Sequence, residues 1–297
     1  MRHLIDEDKH TLIFDNWYEF ITAAENDSEM IYEDRSSRRS YTPRQGTVRT
    51  PLAPYFHGAF ATWSEALKTA RTGWTAGAQE IERVFEDIRP QSKEVRLTIE
   101  PDRVGPGTWS KGRLIAGHPK PWLKWHETEI ITDNNTANGG VIPLGINISQ
   151  SAGVDAATRF KIGAAVLALI DILERAGKRV ELTLFNAVQG YGNGAAINIA
   201  VTVKRADDPL NMANLAYAFA NAATQRRLCW SVRETMEEEI RVKCNVTGMG
   251  NYGCTDPEWQ VGDSSFIEGA GGSNLSDKNQ VHKWIKDQAA KWNVYID

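Results

Sequence analysis

The residues best suited to chemistry in this chain are cations and indole rings, and they are grouped. Between Arg35 and Thr50 stand five arginines, Arg35, Arg38, Arg39, Arg44 and Arg49, with Tyr41 among them and no acid. Between Arg103 and His126 stand Arg103, Lys111, Arg113, Lys120 and Lys124, again with no acid, together with Trp109, Trp122 and Trp125. Cations can follow phosphates, and flat rings can stack on unpaired bases at roughly 1–3 kcal/mol per base. That pairing is the chemistry of single-stranded nucleic-acid binding, with these arginines, lysines and rings and Tyr41 as its candidate residues. The second tract is interrupted by Gly105, Pro106, Gly107, Gly112, Gly117, Pro119 and Pro121, so it reads as a loop, with helix and regular strand both poor fits. The first tract has turn-forming composition and reads as an arm. The plain alternative is that tryptophans in Gly/Pro loops plug a core edge while an arginine run is merely solvated.

The whole chain has 297 residues, 34 basic and 38 acidic, for a net charge of −4. Since the two tracts hold ten cations, the remainder carries 24 basic against 38 acidic residues, or −14. An acidic body bearing two basic segments has a local field that its net charge hides. With 41% hydrophobic residues and a mean hydropathy of −0.42, the composition is that of a globular chain. Its longest apolar run, near Ala164–Ile170, falls far short of the roughly 20 residues of a membrane helix. No secretory signal is evident at Met1–Asp8, and three widely spaced cysteines, Cys229, Cys244 and Cys254, argue against a disulfide framework. A cytoplasmic protein is expected, the host cytoplasm if the chain is phage-encoded.

No enzyme is legible. Neither G-x-S-x-G, H-E-x-x-H nor a Cys-His arrangement occurs, and no carboxylate cluster recommends Mg²⁺. His118 with His126, and Cys244 with Cys254, lack zinc-ligand spacing. The run Gly269-Ala270-Gly271-Gly272-Ser273 lacks a Walker lysine and reads as a flexible loop. Catalytic residues, metal and cofactor are therefore expected to be absent. A third basic aromatic patch, Gln225–Arg233, reads as helical, with Leu228 and Trp230 inward and the arginines paired with Glu234, Glu237 and Glu238.

Positioning these residues requires a scaffold. Thr62-Trp63-Ser64-Glu65 is a capping box opening a helix to about Arg71, and a second helix covers about Ala76–Asp87. Val95, Leu97 and Ile99 alternate as a strand. The polar stretch Thr132–Gly140 reads as a linker, dividing an N-terminal α+β region, 1–133, from an α/β core domain, 134–297. Within the latter the pattern predicts a strand at Val141–Ser149, a helix at Ala156–Ala176 closed by Gly177, and strands over 180–184 and 197–203 joined by a Gly-rich turn. A helix is expected from Leu210, capped by Asp208 and Pro209, then a strand through Ile240, Val242, Cys244 and Val246, and a last helix over 277–292. Coiled-coil heptads are absent, so nothing fixes the geometry of any homo-oligomer.

The segment INISQSAGVDAATRFKIGAAVLALIDILERAGKRVELTLF resembles the opening of a von Willebrand factor A domain: strand, D-x-S-x-S loop, long helix, Gly, strand. The resemblance spans residues 141–185 and implies a layered α/β sheet, von Willebrand A-like or Rossmann-like, with the N-terminal extension carrying the basic loops. In that family the Asp and two Ser hydroxyls hold a divalent cation. Here the triplet is Asn147, Ser149 and Ser151, which keeps oxygen atoms but removes the negative charge a hard cation prefers. The overall layout, with segments such as FHGAFATWSEALKTARTGW, resembles the single-stranded-DNA-binding RNA polymerase cofactor of N4-related bacteriophages. That resemblance implies a sequence-tolerant binder of unpaired DNA that assists a phage-encoded RNA polymerase in transcription. The alternative is a von Willebrand A-like adaptor or phage assembly protein that binds protein instead.

Overall fold

Residues 179–204 are apolar over lengths that suit strands buried on both faces, and they make the centre of the fold. β9 (Arg179–Gln189) and β10 (Ala196–Lys204) pair antiparallel, from Ala196 opposite Gln189 to Thr202 opposite Thr183. β8 (Val141–Asn147) runs parallel to β9, and β14 (Ser265–Ile267) parallel to β8. Beyond β10 lie β2 (Lys9–Phe14), parallel to it, and β1 (Arg2–Asp6), antiparallel to β2. The sheet order is thus β1-β2-β10-β9-β8-β14, with β13 (Cys254–Thr255) paired to the end of β9. The fold is α/β with a mixed sheet, as the sequence pattern implies. These statements come from a computed structural model that describes residues 1–25, 32–34, 39–41, 60, 62–85, 94–102, 108–117, 119–120, 122–130, 140–151, 153–192, 194–248, 251–256, 258–259, 265–267 and 278–296.

Helices cover the sheet. In chain order they are α1 (Trp17–Glu25), α2 (Trp63–Thr72), α3 (Thr75–Phe85), the short α4 (Lys111–Ile115), α5 (Ala156–Arg175), α6 (Met212–Leu215), α7 (Trp230–Glu234), α8 (Glu238–Lys243) and α9 (Lys278–Ala290). α2 opens on the expected capping box: Thr62 Oγ1 accepts the Glu65 N–H, and the Glu65 carboxylate accepts the Thr62 N–H. α5 makes the crossover from β8 to β9. Asp155 caps it by accepting the Thr158 N–H at 2.6 Å, and Gly177 ends it at φ +77°, with the Lys178 N–H returning to the Leu173 carbonyl.

One apolar core joins Phe14, Trp17, Phe20, Trp63 and Leu67 to Leu144, Leu167, Leu182 and Ile199. Strands and helices from both sides of residues 133/134 therefore share one sheet and one core. The N-terminal extension is in part an added edge of the large sheet. A separate small sheet, β5 (Glu94–Asp102), β7 (Trp122–Ile130) and β6 (Thr108–Trp109), takes in part of the second basic tract, and β4 (Arg39–Tyr41) of the first tract pairs with β3 (Tyr32–Asp34) just before it.

Three expectations are corrected. The helix expected at Leu210 begins at Met212, because Asn211 is its cap, while Asp208 accepts the Arg205 N–H and closes a turn. The strand expected through Ile240 and Cys244 is helix α8 followed by a left-handed Asn245, and only Val246–Gly248 (β11) is extended, paired with β12 (Asn251–Tyr252). Glu238 and Glu239 in the first turn and Arg241 and Lys243 in the last suit the helix dipole, which outweighs the apolar alternation. The tract read as irregular loop contains β6 and the first five residues, Trp122 to His126, of the nine-residue strand β7.

α6 continues into a π-helical segment, Ala216–Ala220, and a second π segment, Thr224–Cys229, leads into α7. A Cβ on Gly163 of α5 would lie 2.4 Å from Ala220 Cα and 2.5 Å from the Phe219 carbonyl oxygen. Backbone approaches backbone here, so neither side can yield cheaply. Gly163→Ala is expected to destabilise the fold by about 1–3 kcal/mol, seen as a lower urea midpoint at unchanged m-value.

Candidate functional sites

The first site is the small sheet with its cationic β6–β7 connection; the strands themselves carry Arg96 and Lys124 against Glu94, Glu100, Asp102, Glu127 and Glu129. Register places Trp109 of β6 directly opposite Trp122 of β7, while β5 pairs the other side of β7 from Asp102–Trp122 to Glu94–Ile130. Positions 122, 124 and 126 share one face by the two-residue alternation, and position 109 shares it through its pairing. Trp125 is of the opposite parity, in register with Ile99, so the three tryptophans do not form one platform. The strand thus separates position 125 from positions 109 and 122. Positions 109 and 122 are cross-strand partners in register, a placement that sets Cβ atoms about 5 Å apart.

The connection from β6 to β7 holds the cations. Lys111 and Lys120 are exposed, and Arg113 is half-buried and donates from Nε to the Lys120 carbonyl at 3.1 Å, closing the loop on itself. Lys124 lies on β7 opposite Glu100. Leu114 and Ile115 are exposed at the tip. In the arm, Arg39 and Tyr41 lie on β4, in register with Asp34 and Tyr32. Arg35, Arg38, Arg44, Arg49 and Arg103 lie outside the described residues.

The second site is the triplet of the von Willebrand A resemblance together with buried arginines that the sequence does not reveal. It lies at the carboxyl end of β8, where the Asn147, Ser149, Ser151 triplet sits. Asn147 Nδ2 donates to the carbonyls of Asp256 at 3.0 Å and Trp259 at 2.9 Å, and Asn147 Oδ1 accepts the Ser149 N–H at 2.8 Å. Ser149 Oγ accepts the Ala187 N–H at 2.7 Å and Asn186 Nδ2 at 3.3 Å. Ser151 is exposed, and its hydroxyl accepts the Gly153 N–H at 3.3 Å. The triplet's oxygens are thus committed to protein donors, and the first residue turns N–H groups toward carbonyls. This donor set does not fit the divalent cation that the von Willebrand A resemblance implies. Among the described residues no group of three His, Cys, Asp or Glu could hold a metal.

Beneath the triplet are buried arginines. Arg159 of α5 donates to the Ile148 carbonyl at 2.7 Å and to Gln225 Oε1, and Gln225 in turn clasps both the N–H and the carbonyl of Gln150. Arg226 reaches the carbonyls of Ser151 and Val154, and Arg227 that of Phe60. Arg233 donates to Asn186 Oδ1 at 2.6 Å, to its carbonyl at 3.0 Å and to the Ile197 carbonyl. In place of the expected pairing with Glu234, Glu237 and Glu238, Arg226, Arg227 and Arg233 are each 0% exposed and hold backbone carbonyls. The signal that could have found them is Arg159 on the buried side of an apolar helix, and Gln-Arg-Arg following a run, 215–224, that is apolar apart from Tyr217, Asn221 and Thr224. Burial, reinforced by Arg226, pushes the Arg159 guanidinium down to about 9; burial takes Arg233 down to about 10. Both stay charged at neutral pH.

Glu234 is buried behind them. Its Oε1 accepts the Tyr252 hydroxyl, its Oε2 has no hydrogen-bond partner, and burial pushes the carboxyl up to about 8 against the opposing effects of Tyr252 and Arg241. Trp230 and Tyr252 stack alongside at 4.0 Å.

A mixed sheet with helices, whose polar groups at the carboxyl end of β8 are bonded inward, defines the class as α/β. The chain belongs to the family described as a domain of unknown function, DUF7192, which matches residues 6–286. No curated protein and no solved structure matches it.

Asn147→Asp removes both donations to carbonyls and is expected to destabilise the fold by about 1–3 kcal/mol, read as a lower melting temperature that millimolar Mg²⁺ does not restore. Glu234 gives a pH signature. Its folded pKa lies above the ordinary 4.5, so the folded chain binds the extra proton between 4.5 and about 8, and stability falls as pH rises through that window. Glu234→Gln is expected to flatten this loss and raise the melting temperature at pH 8.

Proposed function

We propose that the protein is a non-enzymatic, largely sequence-tolerant single-stranded DNA binder that uses the face of the small sheet bearing Trp109 and Trp122. The observation that carries this reading is the register: two tryptophans directly opposite each other, Lys124 two residues along the same face, and Lys111, Arg113 and Lys120 in the adjoining connection. Unpaired bases stack on the rings, and the cations follow the phosphates. Duplex DNA hides its base faces and is bound more weakly. The resemblance to the N4-related cofactors extends the proposal to assistance of a phage-encoded RNA polymerase. A second reading, a von Willebrand A-like adaptor, is favoured by the parallel β8–α5–β9 unit with the Asn147–Ser151 loop at its carboxyl end.

Fluorescence anisotropy with labelled oligo-dT tests the proposal. Four phosphate contacts give a log-log salt slope of about −2.8, hence about fifty-fold weaker binding at 200 mM than at 50 mM salt. Trp109→Ala and Trp122→Ala each weaken binding by about tenfold or more, whereas Trp125→Phe leaves it unchanged. Equal affinity for duplex, or a flat salt response, refutes stacking on this face; polymerase capture that survives nuclease treatment then supports the adaptor.

A further inference from the structure

β1 is the last strand of the large sheet on its side, and all five of its residues are exposed. Among the described residues no strand pairs with its outer edge. Edge strands that stay solitary commonly carry a bulge, a proline or a lysine. β1 carries none of these: its pairing with β2 has no register shift, and its sequence is Arg-His-Leu-Ile-Asp. Leu4 is 51% exposed and Ile5 64%.

The turn fixes which backbone groups face outward. Asp6 and Lys9 flank a two-residue turn, with Glu7 at φ +53°, and residues flanking such a turn exchange both of their backbone hydrogen bonds. Counting back in twos, Leu4 and Arg2 also bond to β2. The N–H and carbonyl groups of His3 and Ile5 therefore point to the open side.

The charge pattern of β1 is complementary to its own reverse. We propose that two copies of the protein join through β1, antiparallel and centred on Leu4, so that the sheet continues across a twofold axis. Arg2 of each copy then stands opposite Asp6 of the other, and His3 opposite Ile5. The His3 and Ile5 backbone groups supply four hydrogen bonds, and the two Leu4 side chains meet at the axis. No like charges face each other. Arg2 already reaches Asp15 of its own chain at 3.1 Å, and a guanidinium has donors enough for a second carboxylate. His3 is held on the sheet by His10, ring nitrogen to ring nitrogen at 3.1 Å. One five-residue strand from each copy buries less than the standard interface of about 1,600 Å², so the association is reversible and concentration-dependent.

Sedimentation equilibrium of the full chain tests this without nucleic acid. The wild-type weight-average mass is expected to rise from 33.1 kDa toward twice that value across the micromolar range. Arg2→Asp alone and Asp6→Arg alone are each expected to remain monomeric, and a mixture of the two to form the heterodimer, because mixing restores both opposite-charge pairs. Leu4→Lys, which leaves the Asp15 and Lys9 contacts in place, is expected to be monomeric with an unchanged melting curve. A constant wild-type mass overturns the proposal. So does self-association of Leu4→Lys at wild-type strength, or a mixture of the charge variants that stays monomeric.

Discussion

The fold depends on guanidinium groups buried under the carboxyl ends of its central strands. Arg159, Arg226 and Arg233 lie within the core and direct their donors at the carbonyls of Ile148, Ser151, Val154, Asn186 and Ile197. A hydrogen bond to a charged group contributes roughly 1.5–3 kcal/mol, but removing one ligand from a buried charge forfeits more than its share. The loop from Ile148 to Asp155 is therefore held from within: it cannot lift away without uncovering charge. The burial that lowers the Arg159 and Arg233 pKa values leaves them well above neutrality, so this constraint persists through the physiological range.

π-Helical geometry makes the arrangement accessible. Gln225, Arg226 and Arg227 are consecutive and all buried, an arrangement that a regular amphipathic helix, with one face turned to the core, does not offer. Widening the turn lets successive side chains reach Gln150, the 151–154 loop and Phe60. Gly163 belongs to the same solution, because a closely approaching α5 is what brings Arg159 to Gln225. Asn147 follows from it too. The carbonyls of Asp256 and Trp259 need donors, which an amide has and a carboxylate lacks. A triplet that in its spacing resembles a cation site has become an internal brace.

The elements legible in the sequence are those whose signals are local. The Thr62 capping box, the α5 helix with Gly177 behind it, and the alternating strands at 141–147 and 196–204 follow from spacing alone. The misread elements are those where a partner decides. β7 has Pro119 and Pro121 just before it and only a short apolar alternation, Leu123 and Trp125 with Lys124 and His126 between and after, yet nine consecutive residues pair with β5. α8 shows a strand's apolar spacing, but its charges are arranged for a helix. The arginines at 226, 227 and 233 are legible as a basic patch and not as a core, because a sequence shows charge without showing that the acceptors are carbonyls 36–75 residues away, or 167 in the case of Phe60. The Trp109–Trp122 pairing depends on register, which spacing alone leaves open.

Charge segregation then bears on how an acidic protein could still present a cationic face. The sequence outside the two basic tracts carries −14, and in pure water that charge would oppose any polyanion. At physiological ionic strength, however, its reach is about 8 Å, so a phosphate senses the groups beside it more than the total. Lys111, Arg113, Lys120 and Lys124 fall within 14 residues, around a strand end and its connection, whereas Glu100 and Asp102 are the acids that β5 brings into register with β7 near them. The local sum stays positive. Beyond that short range the acidic body contributes little to the field at the connection, so the net charge of the chain does not decide which sign of ligand this surface can meet.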